Sequence, residues 1–138
     1  MDGNSNAPTT VSARQVLVVD DEEDTRQSLR FLLEDAGYSV LEAQNGWEAI
    51  ERLLYNPQRM AVLLDWRMPG LDGVQTLDTI AMTMPRSAPH AFIFMTAAMQ
   101  TPSLYLAQIP EGATVSFLRK PFNLDEALAA VAQALQSA

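Results

Sequence analysis

The chain contains no cysteine, one histidine and one lysine. Without cysteine, disulfides and thiolate metal sites are excluded. The histidine, His90, lies in a proline-flanked loop with no second histidine beside it, so it is expected at the surface rather than as a ligand or base. No apolar run is long enough to cross a bilayer. With 17 acidic against 9 basic residues and a net charge of −8, no broad basic face is available for direct nucleic-acid binding. The polar start Met-Asp-Gly-Asn-Ser-Asn lacks the basic and apolar regions of a secretory signal, and a cytoplasmic protein is expected. The content of 48% hydrophobic residues in 138 is enough for the core of one domain. The lone lysine, Lys120, stands out because a surface charged only for solubility scatters several.

Residues 1–13 are polar and aperiodic, which predicts a flexible leader before a domain over 14–138. Residues 15–19 are a buried-strand run ending in Asp20-Asp21. The next helix carries Leu29, Leu32, Leu33 and Ala36 on one stripe, has Glu22, Glu23 and Asp24 at its N-terminus, and stops at Gly37. Residues 39–43 read as a second strand. Asn45 then caps a helix with Trp47, Ile50, Leu53 and Leu54 on its packed side. Residues 60–64 are continuously apolar and end on Asp65, followed by the turn Pro69-Gly70-Leu71-Asp72-Gly73 and a helix with Val74, Leu77, Ala81 and Met84 inward. After Pro85, residues 91–95 form a fully apolar strand ending at Thr96. Pro102 and Pro110 leave room for only a short helix over 103–109. Residues 115–118 are the last strand, ending at Arg119-Lys120-Pro121. Asn123 caps a final helix with Leu124, Leu128, Val131 and Leu135 inward. Five strands alternating with five helices call for an α/β fold, a parallel sheet wrapped on both faces.

Asp65 taken alone reads first as a cap for its turn, since Asp is a common turn residue. The other strand ends decide the matter, because Asp20, Asp21, Asp65, Thr96 and Lys120 all fall on one edge of a parallel sheet, where α/β proteins bind ligands. Three carboxylates brought together repel by several kcal/mol per pair at an effective dielectric of about 20, so the cluster asks for a cation. All-oxygen ligands favour Mg²⁺ or Mn²⁺ over zinc. A divalent ion beside a carboxylate nucleophile, with a hydroxyl and an ammonium to hold negative oxygens, equips a site for phosphoryl transfer to an aspartate.

Asp20-Asp21, the stretch Asp65-Trp-Arg-Met-Pro-Gly-Leu-Asp-Gly73, Thr96-Ala97, Gly112-Ala113 and Lys120-Pro121-Phe122 together resemble the signature of response regulator receiver domains of two-component and phosphorelay signalling, in order and from about Gln15 onward. The resemblance implies a (βα)5 doubly wound, flavodoxin-like sheet with strand order 2-1-3-4-5. It further implies that Asp65 accepts a phosphoryl group from a histidine kinase or histidine phosphotransfer protein. Asp21, Asp65 and the Arg67 backbone carbonyl would bind Mg²⁺, with Asp20 assisting through water. Thr96 would hydrogen-bond the phosphoryl oxygens, and Lys120 would pair with them, held by a cis peptide to Pro121. Phe117 matches the aromatic switch position; its residue type also fits a core phenylalanine on a strand. Trp66 would lie near the metal, whereas Trp47 reads as ordinary helix packing. Phosphorylation would then bias a two-state element and change the face made by the fourth helix, fifth strand and fifth helix toward a protein partner. Such a chain is a switch that catalyses its own phosphorylation and slow dephosphorylation, rather than a metabolic enzyme.

Two positions tune phosphate lifetime in the resembled family. Arg67 is placed to shield or contact a phosphoryl oxygen unless it points to solvent, and Ala98 offers no polar group to orient water; both favour a long-lived phosphoryl state. Ala127, Ala129, Ala130, Ala132 and Ala134 make the last helix a candidate partner or dimer surface, with a monomer or weak homodimer expected, although alanine is also simply the best helix former. Two competing functions remain: a degenerate receiver serving as a phosphorylation-independent scaffold, and a haloacid-dehalogenase-type phosphatase. The latter expects a second aspartate where Arg67 stands. A stand-alone or excised receiver is the expected form.

Overall fold

Short apolar runs separated by amphipathic segments form a five-stranded parallel sheet in the computed structural model, which describes residues 14–56, 58–83, 90–97 and 112–136. The elements in chain order are β1 (Gln15–Val19), α1 (Glu23–Asp35), β2 (Ser39–Ala43), α2 (Gly46–Leu54), β3 (Ala61–Asp65), α3 (Gly73–Thr83), β4 (Ala91–Thr96), β5 (Thr114–Arg119) and α4 (Leu124–Gln136). The sheet order is β2-β1-β3-β4-β5, the doubly wound 2-1-3-4-5 arrangement, with all four strand pairs parallel. The leader 1–13, Pro57, Met84, Pro85, Ala98 and the short helix expected over 103–109 lie outside the described residues.

The period-two alternation of strand side chains divides the core between the two faces of the sheet. Val16, Val18, Leu63 and Ile93 pack with Leu29 and Leu33 of α1 and Val131 of α4. Leu17, Val19, Leu64 and Phe94 pack with Ala49 and Leu53 of α2 and Leu77 and Ile80 of α3. Each of the valine, leucine, isoleucine and phenylalanine side chains among these contributes roughly 1.5–3 kcal/mol of burial. Every residue of β3 is buried, which explains a run with no polar residue before its terminal Asp65.

Local chemistry sets the helix ends. Asn45 Oδ1 accepts the Glu48 N–H at 2.8 Å. Asn123 and Glu126 close a reciprocal box, each side chain accepting the other's backbone N–H at 2.8 and 2.9 Å. Gly37 follows α1 at φ +98°, a left-handed geometry that ends the helix without strain.

The structure corrects several side-chain expectations. His90 is 2% exposed rather than on the surface: its Nδ1 accepts the Met60 N–H at 3.3 Å, pinning the residue before β4 to the one before β3. A single buried imidazole satisfying a backbone donor leaves no periodic signal. Trp47 is 62% exposed, because α2 buries the line Gly46, Ala49 and Leu53, to which Trp47 is one step out of phase. Leu54 is exposed for the same reason, and Ala36 lies beyond the buried stripe of α1. On α4 the buried line is Ala127, Val131 and Ala134, while Leu124 is exposed. With small Ala127 and Ala134 on the buried line, the leucine edge of the helix lies partly outward. Ala127 and Ala134 therefore belong to the core, leaving Ala129 as the fully outward alanine of the expected partner surface.

Candidate functional site

Three buried strands and one edge strand end at the same pole, and each ends on a residue with chemistry. Asp20, following β1, is fully buried; Asp65 and Thr96, closing β3 and β4, are nearly so; Asp21 is exposed. Carboxylate oxygens of Asp20, Asp21 and Asp65 all lie within 4.8 Å of one another. Lys120, following β5, points its Nζ between two of them, 3.5 Å from Asp20 Oδ2 and 3.4 Å from Asp65 Oδ1.

Backbone hydrogen bonds hold these groups in place. The Asp20 N–H donates to the Ala43 carbonyl at 3.2 Å, and the Glu22 N–H donates to Asp20 Oδ1 at 3.0 Å. The Lys120 N–H donates to the Thr96 carbonyl at 2.7 Å, so the lysine is anchored to the end of β4, and its peptide to Pro121 is cis. The ladder runs one residue past β3, with the Trp66 N–H on the Met95 carbonyl at 2.9 Å; the Trp66 carbonyl in turn accepts the Gly73 N–H at 3.1 Å. Gly73 allows that close return: a Cβ there would sit 2.7 Å from the Asp65 carbonyl oxygen and 2.9 Å from the Phe94 ring. The Arg67 N–H reaches Asp65 Oδ1 at 3.4 Å, and the Arg67 side chain is exposed.

These residues open onto a cleft of about 510 Å³ lined by Asp21, Asp65, Trp66, Arg67, Thr96 and Lys120, among others. Behind it stands an aromatic trio. Trp66 meets Phe94 edge-on at 4.9 Å, and Phe94 stacks on half-buried Phe117 at 5.9 Å. Trp66 thus lines the cleft next to Asp65 and packs against the ring that touches Phe117.

Burial, with the Asp20 charge adding, pushes the Asp65 carboxyl up to about 6, while Lys120 and the Arg67 N–H pull it down. Burial disfavours the Lys120 ammonium, but attraction to Asp20 and Asp65 outweighs it and raises its pKa. One ammonium against three clustered carboxylates leaves negative charge uncompensated. The all-carboxylate donors fit a hard divalent cation of the Mg²⁺ or Mn²⁺ type.

The sheet edge therefore unites Asp20, Asp21, Asp65, Thr96 and Lys120, as the sequence led one to expect, and Ala98 lies outside the described residues. Sequence reasoning missed Arg26, whose guanidinium NH1 donates to the Asp20 carbonyl at 2.8 Å. An arginine on the outer turns of a helix carries no local signal of such a contact.

A doubly wound sheet with an acidic strand-end cleft and one lysine across it is the architecture of CheY-like proteins. Chemotaxis protein CheY4 of Vibrio cholerae superposes with a TM-score of 0.73 at 28% identity, covering 89% of this chain and 99% of that one. The receiver domain of NtrX from Brucella abortus gives 0.67 at 30% identity, covering 89% and 99%. The profile of the response regulator receiver domain matches residues 16–132, and the chain belongs to that family, within two-component signalling. Response regulator MprA of Mycobacterium sp. (strain KMS) is 39% identical over 115 residues, 83% of this chain and 47% of that protein. Transcriptional regulatory protein FixJ of Bradyrhizobium diazoefficiens is 34% identical over 126 residues, 89% of this chain and 57% of that protein. The chain thus spans about half the length of these curated relatives.

Proposed function

We propose that the domain over 14–138 is a phosphoryl-accepting switch in which Asp65 is the acceptor. The observation that carries this is the placement of Lys120 Nζ 3.4 Å from Asp65 Oδ1 and 3.5 Å from Asp20 Oδ2, opposite an exposed Asp21, at the mouth of the cleft. An Asp65 oxygen attacks the phosphorus of a phosphohistidine on a histidine kinase or histidine phosphotransfer protein. The P–N bond breaks and an aspartyl phosphate forms.

Asp21, Asp65 and the Arg67 backbone carbonyl would hold Mg²⁺, with Asp20 assisting through water, and the ion would supply charge neutralisation for the transferring oxygens. Lys120 gives up part of its pairing with Asp65 and takes the incoming phosphoryl oxygens, while the Thr96 hydroxyl donates to them. The new charge draws Thr96 inward, and Phe117 follows, repacking against Phe94 and Trp66. The output is a change in the face that includes β5 and α4, read by a protein partner in the cytoplasm. Among the described residues, no helix is long and apolar enough to cross a membrane.

The experiment is intact mass after incubation with Mg²⁺ and a small acyl-phosphate donor, for wild type and Asp65→Asn. A single adduct of one phosphate on the wild type alone supports the acceptor assignment. No adduct on either, together with no Mg²⁺ binding, rejects it in favour of a phosphorylation-independent scaffold.

A further inference from the structure

The contacts around Asp20 extend to the opposite edge of the sheet. Arg26 lies six residues past Asp20 on α1, and its side chain is only 13% exposed. Its NH1 donates to the Asp20 carbonyl at 2.8 Å, and its Nε donates to Glu42 Oε1 at 3.1 Å. Glu42 sits in edge strand β2, and its other oxygen accepts from Arg30 NH1 at 2.7 Å. These guanidinium partners hold the Glu42 carboxyl below its ordinary range, Arg30 contributing most, so the anchor stays ionised.

We infer that Arg26 is a positioning residue for the metal site: by gripping the Asp20 carbonyl while Glu42 fixes its guanidinium, it sets the direction in which Asp21 projects into the cleft. This rests on the metal-assisted reading above. The carbonyl it grips belongs to the Asp20–Asp21 peptide, and the Asp20 N–H is held by Ala43 of the same edge strand. Asp20 is therefore restrained on both flanks, its N–H directly by β2 and its carbonyl through Arg26 and Glu42, and Asp21, exposed at the cleft mouth, takes its direction from that held carbonyl. A guanidinium suits this task because its planar fork reaches a carboxylate and a carbonyl at once, which an ammonium cannot do with fixed geometry.

Charge alone predicts the opposite sign. Arg26 is a cation near an acidic cluster, so removing it by a purely Coulombic route tightens binding of a dication, and salt screens the gain. Loss of positioning weakens binding, and the weakening persists in high salt. Partners that orient metal-binding groups from outside the coordination sphere typically cost about 10–100-fold in metal affinity when removed.

The test is Mg²⁺ titration of the full chain, followed by Trp66 fluorescence and by calorimetry, at low and high salt. Wild type and Asp21→Asn establish that the signal reports the site. Arg26→Met is expected to bind Mg²⁺ about tenfold more weakly at both salt concentrations. Arg26→Lys should fall between the two. Arg30→Met, which removes a neighbouring guanidinium of the same charge, should stay within about twofold of wild type. Thermal melts without metal separate stability from site geometry. A lowered melting temperature with Mg²⁺ affinity unchanged or increased in Arg26→Met would show a structural role only and overturn the assignment. If that variant does not fold, Glu42→Gln carries the test, with about threefold weaker binding expected from a looser guanidinium and unchanged binding refuting it. A wild type that takes no Mg²⁺ overturns the metal-site reading and this role together; a wild type that binds, with all Arg26 variants equal to it, overturns this role alone.

Discussion

Buried His90 makes stability depend on pH in a way that can be isolated, because it is the only histidine in the chain. Its Nδ1 accepts a backbone N–H, and its Nε2 has no hydrogen-bond partner among the described residues. Burial, with the Arg59 guanidinium nearby, pushes the imidazole down to about 4. In the unfolded chain it titrates near 6.5, so between those values the unfolded state binds more protons and stability rises with pH. The contribution is complete above about pH 6.5 and is lost as the pH falls toward about 4. Between about pH 7.5 and pH 5 the loss is about 2 kcal/mol. Carboxylates titrate over the same range, so the informative quantity is a difference between variants. His90→Asn keeps an acceptor for the Met60 N–H and removes the ring. Urea denaturation at both pH values should show a pH-dependent drop about 2 kcal/mol smaller in the variant than in the wild type. NMR titration of the imidazole should place the folded midpoint near 4. A folded midpoint near 6.5, or the same pH dependence with and without the histidine, would refute the reasoning.

Two further outcomes follow from the site. Gly73→Ala puts a methyl against the Asp65 carbonyl oxygen and the Phe94 ring, so urea melts should show a loss of about 2 kcal/mol, and no loss would mean that the α3 entry yields easily. Arg67→Ala should speed loss of the phosphoryl group from Asp65, measured as decay of the mass adduct. An unchanged rate would assign the arginine to solvent and leave any long lifetime to other residues.

The parts of the fold that were legible from sequence are those where one run of residues carries its own environment. Residues 16–19, 61–64 and 91–95 are apolar throughout because both faces of a central parallel strand are covered, and the polar residue that follows each run marks where the sheet stops. Parallel strands put those ends on one side, so the gathering of Asp20, Asp21, Asp65, Thr96 and Lys120 required only the alternation of strands and helices. Asn45 and Asn123 were readable as caps because a cap acts within four residues of chain.

What eluded the sequence involves distances between elements. A stripe at helical spacing indicates which side of a helix is apolar but not its final rotation, which close packing adjusts by one position; Trp47, Leu54 and Leu124 turned outward in this way. His90 could be placed only by the neighbouring strand that brings the Met60 N–H to it. Arg26 reaches Glu42 across 16 residues of chain, and the carboxylate it grips is brought within range only when β2 lies beside β1. Burial and chain direction are local properties read one strand at a time, so the sequence was enough for the parallel sheet and for the edge on which Asp20, Asp21, Asp65, Thr96 and Lys120 gather. The tertiary structure alone decided which side chains hold that edge in register, because a hydrogen bond between elements depends on the few ångströms that packing, and not periodicity, sets.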